Sequence, residues 1–388
     1  MRRARRERGT GKGARGWAAR ALSLTLILVS LQLGSLIAPA YACGCGAMVV
    51  DRDSRVAVDR ETSAVGWDGR TEQIVMRLSV RGDAPDAAWI MPVPNRATVE
   101  LGDAELFTEL EAITAPVHEE RHYFWPREKD WPFGGSDHAV GDSAAGPRAP
   151  APVEVVGRER LGPFDVARLA ATDPEALEGW LTENGFELPD RLATALTPYV
   201  EQKWEYVAVR LAPRDRGATL SGTLDPLRLR FASDRLVYPM RLSKLAATPQ
   251  SLDLYVLADH RMEPRGTIGG RPAKVSYAGR VDPAAEPYEA LSAVTGDKPV
   301  FLTAMHQYFP TPERINGDHE LLATAEDTPY RTVIHRETLL TWGGIPAWLL
   351  TLLAGAAAVV VTVLLLVRAR RRRPVTPPAP VLTPPPLR

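Results

Sequence analysis

Ile345 to Val367 (IPAWLLTLLAGAAAVVVTVLLLV) is a run of 23 residues without a charge, and Arg368, Arg370, Arg371, Arg372 and Arg373 follow it directly. A hydrocarbon core about 30 Å thick is crossed by roughly 20 apolar residues of helix, so the run is long enough to span it with some tilt. Backbone in lipid must satisfy its own polar groups, which leaves the helix as the expected conformation. Trp342 and Trp348 lie at one end of the run, where amphipathic rings prefer the headgroup level. The arginines flank the other end and are expected to stay cytoplasmic. A buried core helix would carry neither flank.

The N-terminus reads as an export signal. Arg2, Arg3, Arg5, Arg6, Arg8, Lys12, Arg15 and Arg20 make a basic region, Ala21 to Ile37 an apolar one, and Ala40-Tyr41-Ala42 a small-residue cleavage site. Residues 1–42 are therefore expected to be a signal peptide. The competing reading is an uncleaved signal anchor, but the apolar run is short for a span and ends in small residues. Tyr41 argues against lipid modification at Cys43. The expected product is a single-pass protein of the cell membrane, with 43–344 extracellular, a transmembrane helix over 345–367 and a cytoplasmic tail over 368–388. Seven of the last fifteen residues are proline, a composition that favours an extended, solvated chain.

Topology changes how the charge is read. The whole chain balances 47 basic against 47 acidic residues, whereas 43–344 alone holds 33 basic and 46 acidic, a net charge of −13. Such a body repels nucleic acid, which is bound through clustered Lys and Arg. Both cysteines, Cys43 and Cys45, sit at the expected mature start in Cys-Gly-Cys. An extracellular pair is a disulfide candidate. A bridge across one glycine closes a small, strained and reducible ring, so a redox-active pair and free thiols stay open beside it. Two thiolates alone fall short of a structural zinc site.

Period-2 runs dominate the body. Gln73 to Arg81 alternates apolar and polar residues, Ala87 to Val93 follows after a five-residue turn, and together they read as an antiparallel hairpin that Pro92 and Pro94 confine to a sheet edge. Asp51 to Gly69 reads as polar and turn-rich. Asp103 is placed to cap a helix with Leu106, Phe107, Leu110 and Ile113 on one face, ended by Pro116. Residues 134–152 are Pro/Gly-rich and read as a linker or long loop between a front part, 43–133, and a second part, 153–344. The second part opens with strands at Val153–Arg160 and Phe164–Leu169. Two punctuated helices follow, one from Pro174 with Leu177, Trp180 and Leu181 inward and Gly185 past its end, the other from Pro189 with Leu192, Leu196 and Tyr199 inward. Further strand-like runs occur at 204–211, 227–231, 252–257, 273–277, 300–305 and 332–335. The fold class is α+β, mostly antiparallel sheet with a few helices packed on one side.

One catalytic motif occurs. His118-Glu119-Glu120-Arg121-His122 matches H-E-x-x-H, which on a helix sets two histidines on one face as metal ligands with Glu119 to activate water. Pro116 and Pro126 leave barely two turns for such a helix, and Trp125 and Glu128 replace the Gly and His of the longer metzincin motif. His260, His306 and His319 read as hydrogen-bonded loop histidines. No nucleophile elbow and no phosphate-binding loop occurs. Asp225 and Asp234 do not define a glycosidase pair.

Several segments carry a resemblance: Ala42-Cys43-Gly44, Ala88 to Pro94 (AWIMPVP), Asn184 to Pro189 (NGFELP), Leu236 to Leu242 (LVYPMRL) and Leu254 to Arg261 (LYVLADHR). With these the chain resembles, over nearly all of 43–340, the secreted, largely actinobacterial family called domain of unknown function 2330. The resemblance implies a signal peptide, an extracellular domain and often a C-terminal span, and it brings no activity or catalytic residue. The expectation is a cell-surface, non-enzymatic module that needs no cofactor and binds envelope polymer or a surface protein, in part through aromatics such as Tyr123, Phe124, Trp125, Trp131 and Phe133. The alternative is a zinc hydrolase using His118, Glu119 and His122.

Overall fold

The computed structural model describes residues 42–43, 46–51, 53–127, 130, 160–161, 164–169, 174–213 and 217–371. The expected signal peptide up to residue 41, Cys45, the 134–152 linker, residues 153–159 of the strand expected there, Trp131, Phe133 and the tail from 372 lie outside them. Five helices are described: α1 (Glu105–Thr114), α2 (Pro174–Glu183), α3 (Asp190–Glu201), α4 (Glu289–Thr295) and α5 (Ala347–Arg371). The chain divides into two units, one from 1–116 and 152–332, the other from 117–151 and 333–388.

The first unit is α+β and built on two large sheets. One has six strands in the order Ala42–Cys43, Gly46–Val49, Ala87–Val93, Glu205–Leu211, Phe164–Leu169 and Arg160–Leu161. The other has nine. Its path runs Tyr330–Arg331, Lys274–Val281, Val300–Phe309, Gln250–Ala258, Val56–Trp67, Thr71–Gly82, Leu227–Ala232 and Thr98–Leu101, and Gly222–Thr223 adds to the Thr71–Gly82 strand. Pairing in both is antiparallel except between Val56–Trp67 and Gln250–Ala258. A smaller sheet joins Leu236–Tyr238, His319–Ala323 and Met262–Pro264.

Period-2 alternation explains how the two sheets stack. Met48, Trp89, Met91, Val207 and Val209 of the six-stranded sheet share one core with Val65, Ile74, Met76, Leu229, Leu254 and Val256 of the nine-stranded sheet. Their alternate neighbours face outward and are covered in turn. Ala47, Ala88, Ile90 and Ala208 pack against Leu177 and Leu181 of α2 and Leu192, Leu196 and Tyr199 of α3. Ala64, Val75, Leu257 and Leu302 pack against Leu106, Phe107 and Leu110 of α1 and Leu291 of α4. The result is four layers, helix–sheet–sheet–helix. Helices therefore cover both outer faces, which corrects the one-sided packing read from the sequence: there are two sheets, each with an outer apolar face to bury.

Two further expectations change. Thr71–Gly82 and Ala87–Val93 are not a hairpin, since the turn between them carries the chain from one sheet to the other. Nor is Ala87–Val93 an edge: it pairs with Gly46–Val49 and with Glu205–Leu211. Pro92 is tolerated because the first of these pairings stops at Ile90, leaving Pro92 a partner only in Tyr206. Asp51 to Gly69 is turn-rich only at its ends. Val56–Trp67, twelve residues long, is a central strand whose polar Glu61, Thr62 and Ser63 are all buried.

The helices keep their expected faces. Leu106, Phe107, Leu110 and Ile113 of α1 are buried, and the Asp103 carboxylate accepts the Glu105 N–H at 2.9 Å. Gly185 takes φ 84° past the end of α2, where Phe186 donates back to Leu181 O at 2.8 Å.

In the second unit, Val117–Tyr123 and Val333–Leu339 form a two-stranded parallel ribbon, a short hairpin joins Thr341–Trp342 to Ile345–Pro346, and α5 follows. Among the described residues α5 is the one helix long and apolar enough to cross a membrane. Arg368, Arg370 and Arg371 occupy its last turn.

Candidate functional site

The H-E-x-x-H residues lie on a strand, not a helix. Successive strand side chains alternate in direction, so His118, Glu120 and His122 share one face of the ribbon and Glu119 lies on the other. Four residues of strand separate the two histidine Cα atoms by about 13 Å, against about 6 Å for i,i+4 on a helix. His122 Nδ1 is 2.9 Å from Thr338 Oγ1, and Glu119 is 3.6 Å from His335 Nδ1. The helical geometry that makes this motif a metal site is therefore missing. The motif's charges instead match those across the ribbon, with Glu119 opposite His335, Glu120 opposite Arg336 and Arg121 opposite Glu337. Among the described residues no group of three His, Cys, Asp or Glu could hold a metal ion.

The other sequence-flagged histidines separate as well. His306, on the Val300–Phe309 strand rather than in a loop, pairs with Asp253 at 2.8 Å, and His260 with Asp327 at 3.1 Å, both histidines exposed. His319 is not a loop residue: it lies buried on a strand, and its Nε2 is 2.8 Å from Gln307 Oε1. The Gln307 amide nitrogen donates to Ile268 O at 3.0 Å and Arg271 O at 2.6 Å, so Oε1 must accept and His319 must carry its proton on Nε2. Nδ1 has no hydrogen-bond partner among the described residues. Burial lowers this imidazole to about 4.

Between the sheets lies a second buried polar group. The Tyr238 hydroxyl donates to Glu61 and sits 2.5 Å from Ser63 Oγ. Nearby in sequence, Glu72 accepts the Val237 N–H at 3.2 Å, and burial raises its carboxyl well above the usual range. These groups are closed off from solvent and serve the packing of the sheets.

An open site lies elsewhere in the first unit, in one cleft, of about 350 Å³. Four distant segments make it: the turn from Gly66 to Thr71 with Gln73, the Arg228 and Arg230 positions, Leu257 and Asp259, and Ala293 to Val300. The turn is tight because Gly69 adopts φ 87° and the Asp68 carboxylate accepts the N–H groups of Thr71 at 2.7 Å and Arg70 at 3.0 Å. The Thr71 amide, above all, holds the Asp68 carboxyl below its ordinary value, with Arg70 N–H, Arg230 and Lys298 adding to the effect.

The opposite wall is α4, which side chains from other elements pin at both ends. Buried Glu109 accepts the N–H groups of Ala290 at 3.2 Å and Leu291 at 2.8 Å. At the C-terminal end Arg228 donates to Ala293 O at 3.2 Å and Gln73 to Val294 O at 3.4 Å, and Arg228 also holds Gln73 Oε1 at 2.6 and 2.9 Å. Gly296 (φ 64°) and Asp297 (φ 60°) then turn the chain, bringing Lys298 to the rim. Arg228 is thus committed to the wall. Arg230 and Lys298 are exposed and have no ion pair among the described residues. Half-buried Trp67 also lines the cleft, and Asp259 adds an exposed carboxylate.

Sequence reading missed this site because no single segment carries it. The one local signal was an isolated Trp67 beside Asp68-Gly69, an aromatic ring set against a tight turn.

A model of the bacterial family described as an uncharacterized protein conserved in bacteria, domain of unknown function 2330, matches residues 39–322. The chain belongs to this family. All the cleft residues, from 66 to 300, fall inside the span matched by domain of unknown function 2330, whereas the Val333–Leu339 strand and α5 fall outside it. No curated protein matches the chain. The solved crystal structure of baculovirus P35 is similar at a TM-score of 0.30 and 9% identity, over 72% of this chain and 97% of that one, a likeness too slight to define the fold.

Proposed function

We propose that this is a single-pass protein of the bacterial cell surface, non-enzymatic, whose folded body binds an anionic envelope polymer in the cleft between the 66–73 turn and α4. One observation carries the reading. Within a body of net charge −13, the cleft gathers Arg228, Arg230 and Lys298, in excess of the carboxylates Asp68 and Asp259, around a ring, Trp67. Its volume falls in the range of small-ligand sites, and cations lining a cleft focus their field on whatever enters it. Arg230 and Lys298 would hold a carboxylate or phosphate, Asp259 would accept sugar hydroxyls, and Trp67 would cover a ring face. The α5 helix supplies the membrane anchor, and export of the N-terminal body supplies the location.

The test is binding of the full chain in detergent micelles to soluble bacterial envelope glycans, neutral against uronate- or phosphate-bearing, at low and high salt. The reading expects retention of the anionic polymers alone and its loss as salt rises. Equal binding of neutral and anionic glycans, or none of either, would count against it.

A further inference from the structure

The ribbon is parallel, so both of its strands end on the same side. That side is where α5 begins. Leu340 donates its N–H to Tyr123 O at 2.9 Å, and Ala347, the first residue of α5, donates to Leu340 O at 2.8 Å. Tyr123 is thus two hydrogen-bonded steps from the start of the helix, about 10 Å at ordinary strand spacing. These steps run across the ribbon rather than along it. They place Tyr123 at the level where the chain enters its apolar helix.

After Tyr123 the chain folds into a turn. The Tyr123 hydroxyl donates to the Asp130 carboxylate at 2.7 Å, the same carboxylate accepts the Arg127 N–H at 2.8 Å, and the Arg127 guanidinium lies 4.2 Å over the Tyr123 ring while pairing with Glu337. The turn leaves Trp125 64% exposed, with Phe124 edge-on to it at 5.2 Å. The Thr341–Trp342/Ile345–Pro346 hairpin, turned by Gly343 (φ 59°) and Gly344 (φ 81°), leaves Trp342 78% exposed. Two exposed indoles and a phenyl ring therefore follow the ribbon at the end where both of its strands stop. Trp is the side chain that best suits the headgroup layer, where its apolar body and polar N–H are both satisfied.

We propose that Phe124, Trp125 and Trp342 form a membrane-interfacial foot. Their rings occupy the headgroup layer of the bilayer that α5 crosses, so lipid holds the ribbon at two points beside the helix. The partner is a phospholipid surface, and the inference rests on α5 being a membrane span. Nothing local links Phe124 and Trp125 to that span: more than two hundred residues separate them, and only the parallel register brings them to it.

The test places the photoreactive residue p-benzoylphenylalanine at one position of the full chain at a time, replacing Trp125, Trp342, Val333 or Leu352. Each variant is reconstituted in phosphatidylcholine vesicles, irradiated, and scored by mass spectrometry for phospholipid adducts. Leu352 lies within α5 and reports the span itself. Val333 opens the ribbon, about 20 Å from the foot. Adducts at 125, 342 and 352 with none at 333 are expected. Adducts at 352 without any at 125 would overturn the foot and leave the span intact. No adduct at 352 would overturn both. Adducts at 333 equal to those at 125 would mean a ribbon lying flat on the bilayer, which also refutes the foot.

Discussion

His319 makes the fold acid-sensitive in a way that can be isolated. Its tautomer is set by Gln307, whose amide nitrogen is committed to two carbonyls, so the imidazole donates from Nε2 and leaves Nδ1 bare and buried. Protonation would place a charge and a new N–H where no acceptor waits among the described residues. The folded value near 4 lies below the ordinary 6.5, so the unfolded chain binds the proton more tightly. His319 therefore costs nothing above pH 6.5, and stability is lost as pH falls from there toward 4. A difference of that size at about 1.36 kcal/mol per unit comes to about 3 kcal/mol. Other groups titrate over the same range, and buried Glu72, raised by its burial, opposes His319 by favouring the fold at low pH. The comparison is thus with His319→Gln, which keeps a donor for Gln307 and removes the titration. Urea unfolding of the full chain in detergent, followed by tryptophan fluorescence at pH 7 and at pH 4, should show wild type losing about 3 kcal/mol more than the variant over that interval. Parallel losses in the two proteins would refute the reasoning.

Gly46→Ala should destabilise the fold by about 1–3 kcal/mol, the usual cost of overpacking, because the new Cβ would stand 2.6 Å from both Ile90 O and the indole nitrogen of Trp89; a Tm equal to wild type would contradict this. Glu109→Ala removes the acceptor of two buried N–H groups at the start of α4 and should cost about 1–3 kcal/mol, with faster amide exchange at Ala290 and Leu291 than in wild type. Unchanged exchange there would show that Glu109 does not hold the helix.

How far each element was legible in the sequence depends on the range of the interactions that decide it. The apolar run behind α5 and the 3.6-residue periodicity of α1, α2 and α3 are local, and the structure keeps them. The Val56–Trp67 strand was hidden because Glu61 and Ser63 look like surface residues until Tyr238, about 175 positions away, supplies their partner. The supposed hairpin failed for a related reason: turn chemistry at Gly82 to Asp86 reports that the chain reverses, not which sheet it joins. His118 to His122 shows the limit of a five-letter motif, since its geometry depends on whether the backbone is helix or strand, and Val333–Leu339 makes it strand. The cleft needed four segments brought together by the nine-stranded sheet and α4 before Arg230 and Lys298 could face one space.

The most direct test of the account is the affinity of the full chain, in micelles, for an anionic envelope glycan, measured beside an Arg230→Glu/Lys298→Glu variant. Both side chains are exposed and without ion pairs among the described residues, and the carboxylate they bear on, Asp68, is exposed too, so the double reversal should cost the fold no more than about 1 kcal/mol. An exposed charge pair contributes about 0.2–1 kcal/mol, so losing two attractions and gaining two repulsions should weaken binding by roughly fourfold or more. An equal affinity in wild type and variant, with both folded, would contradict the assignment of the cleft.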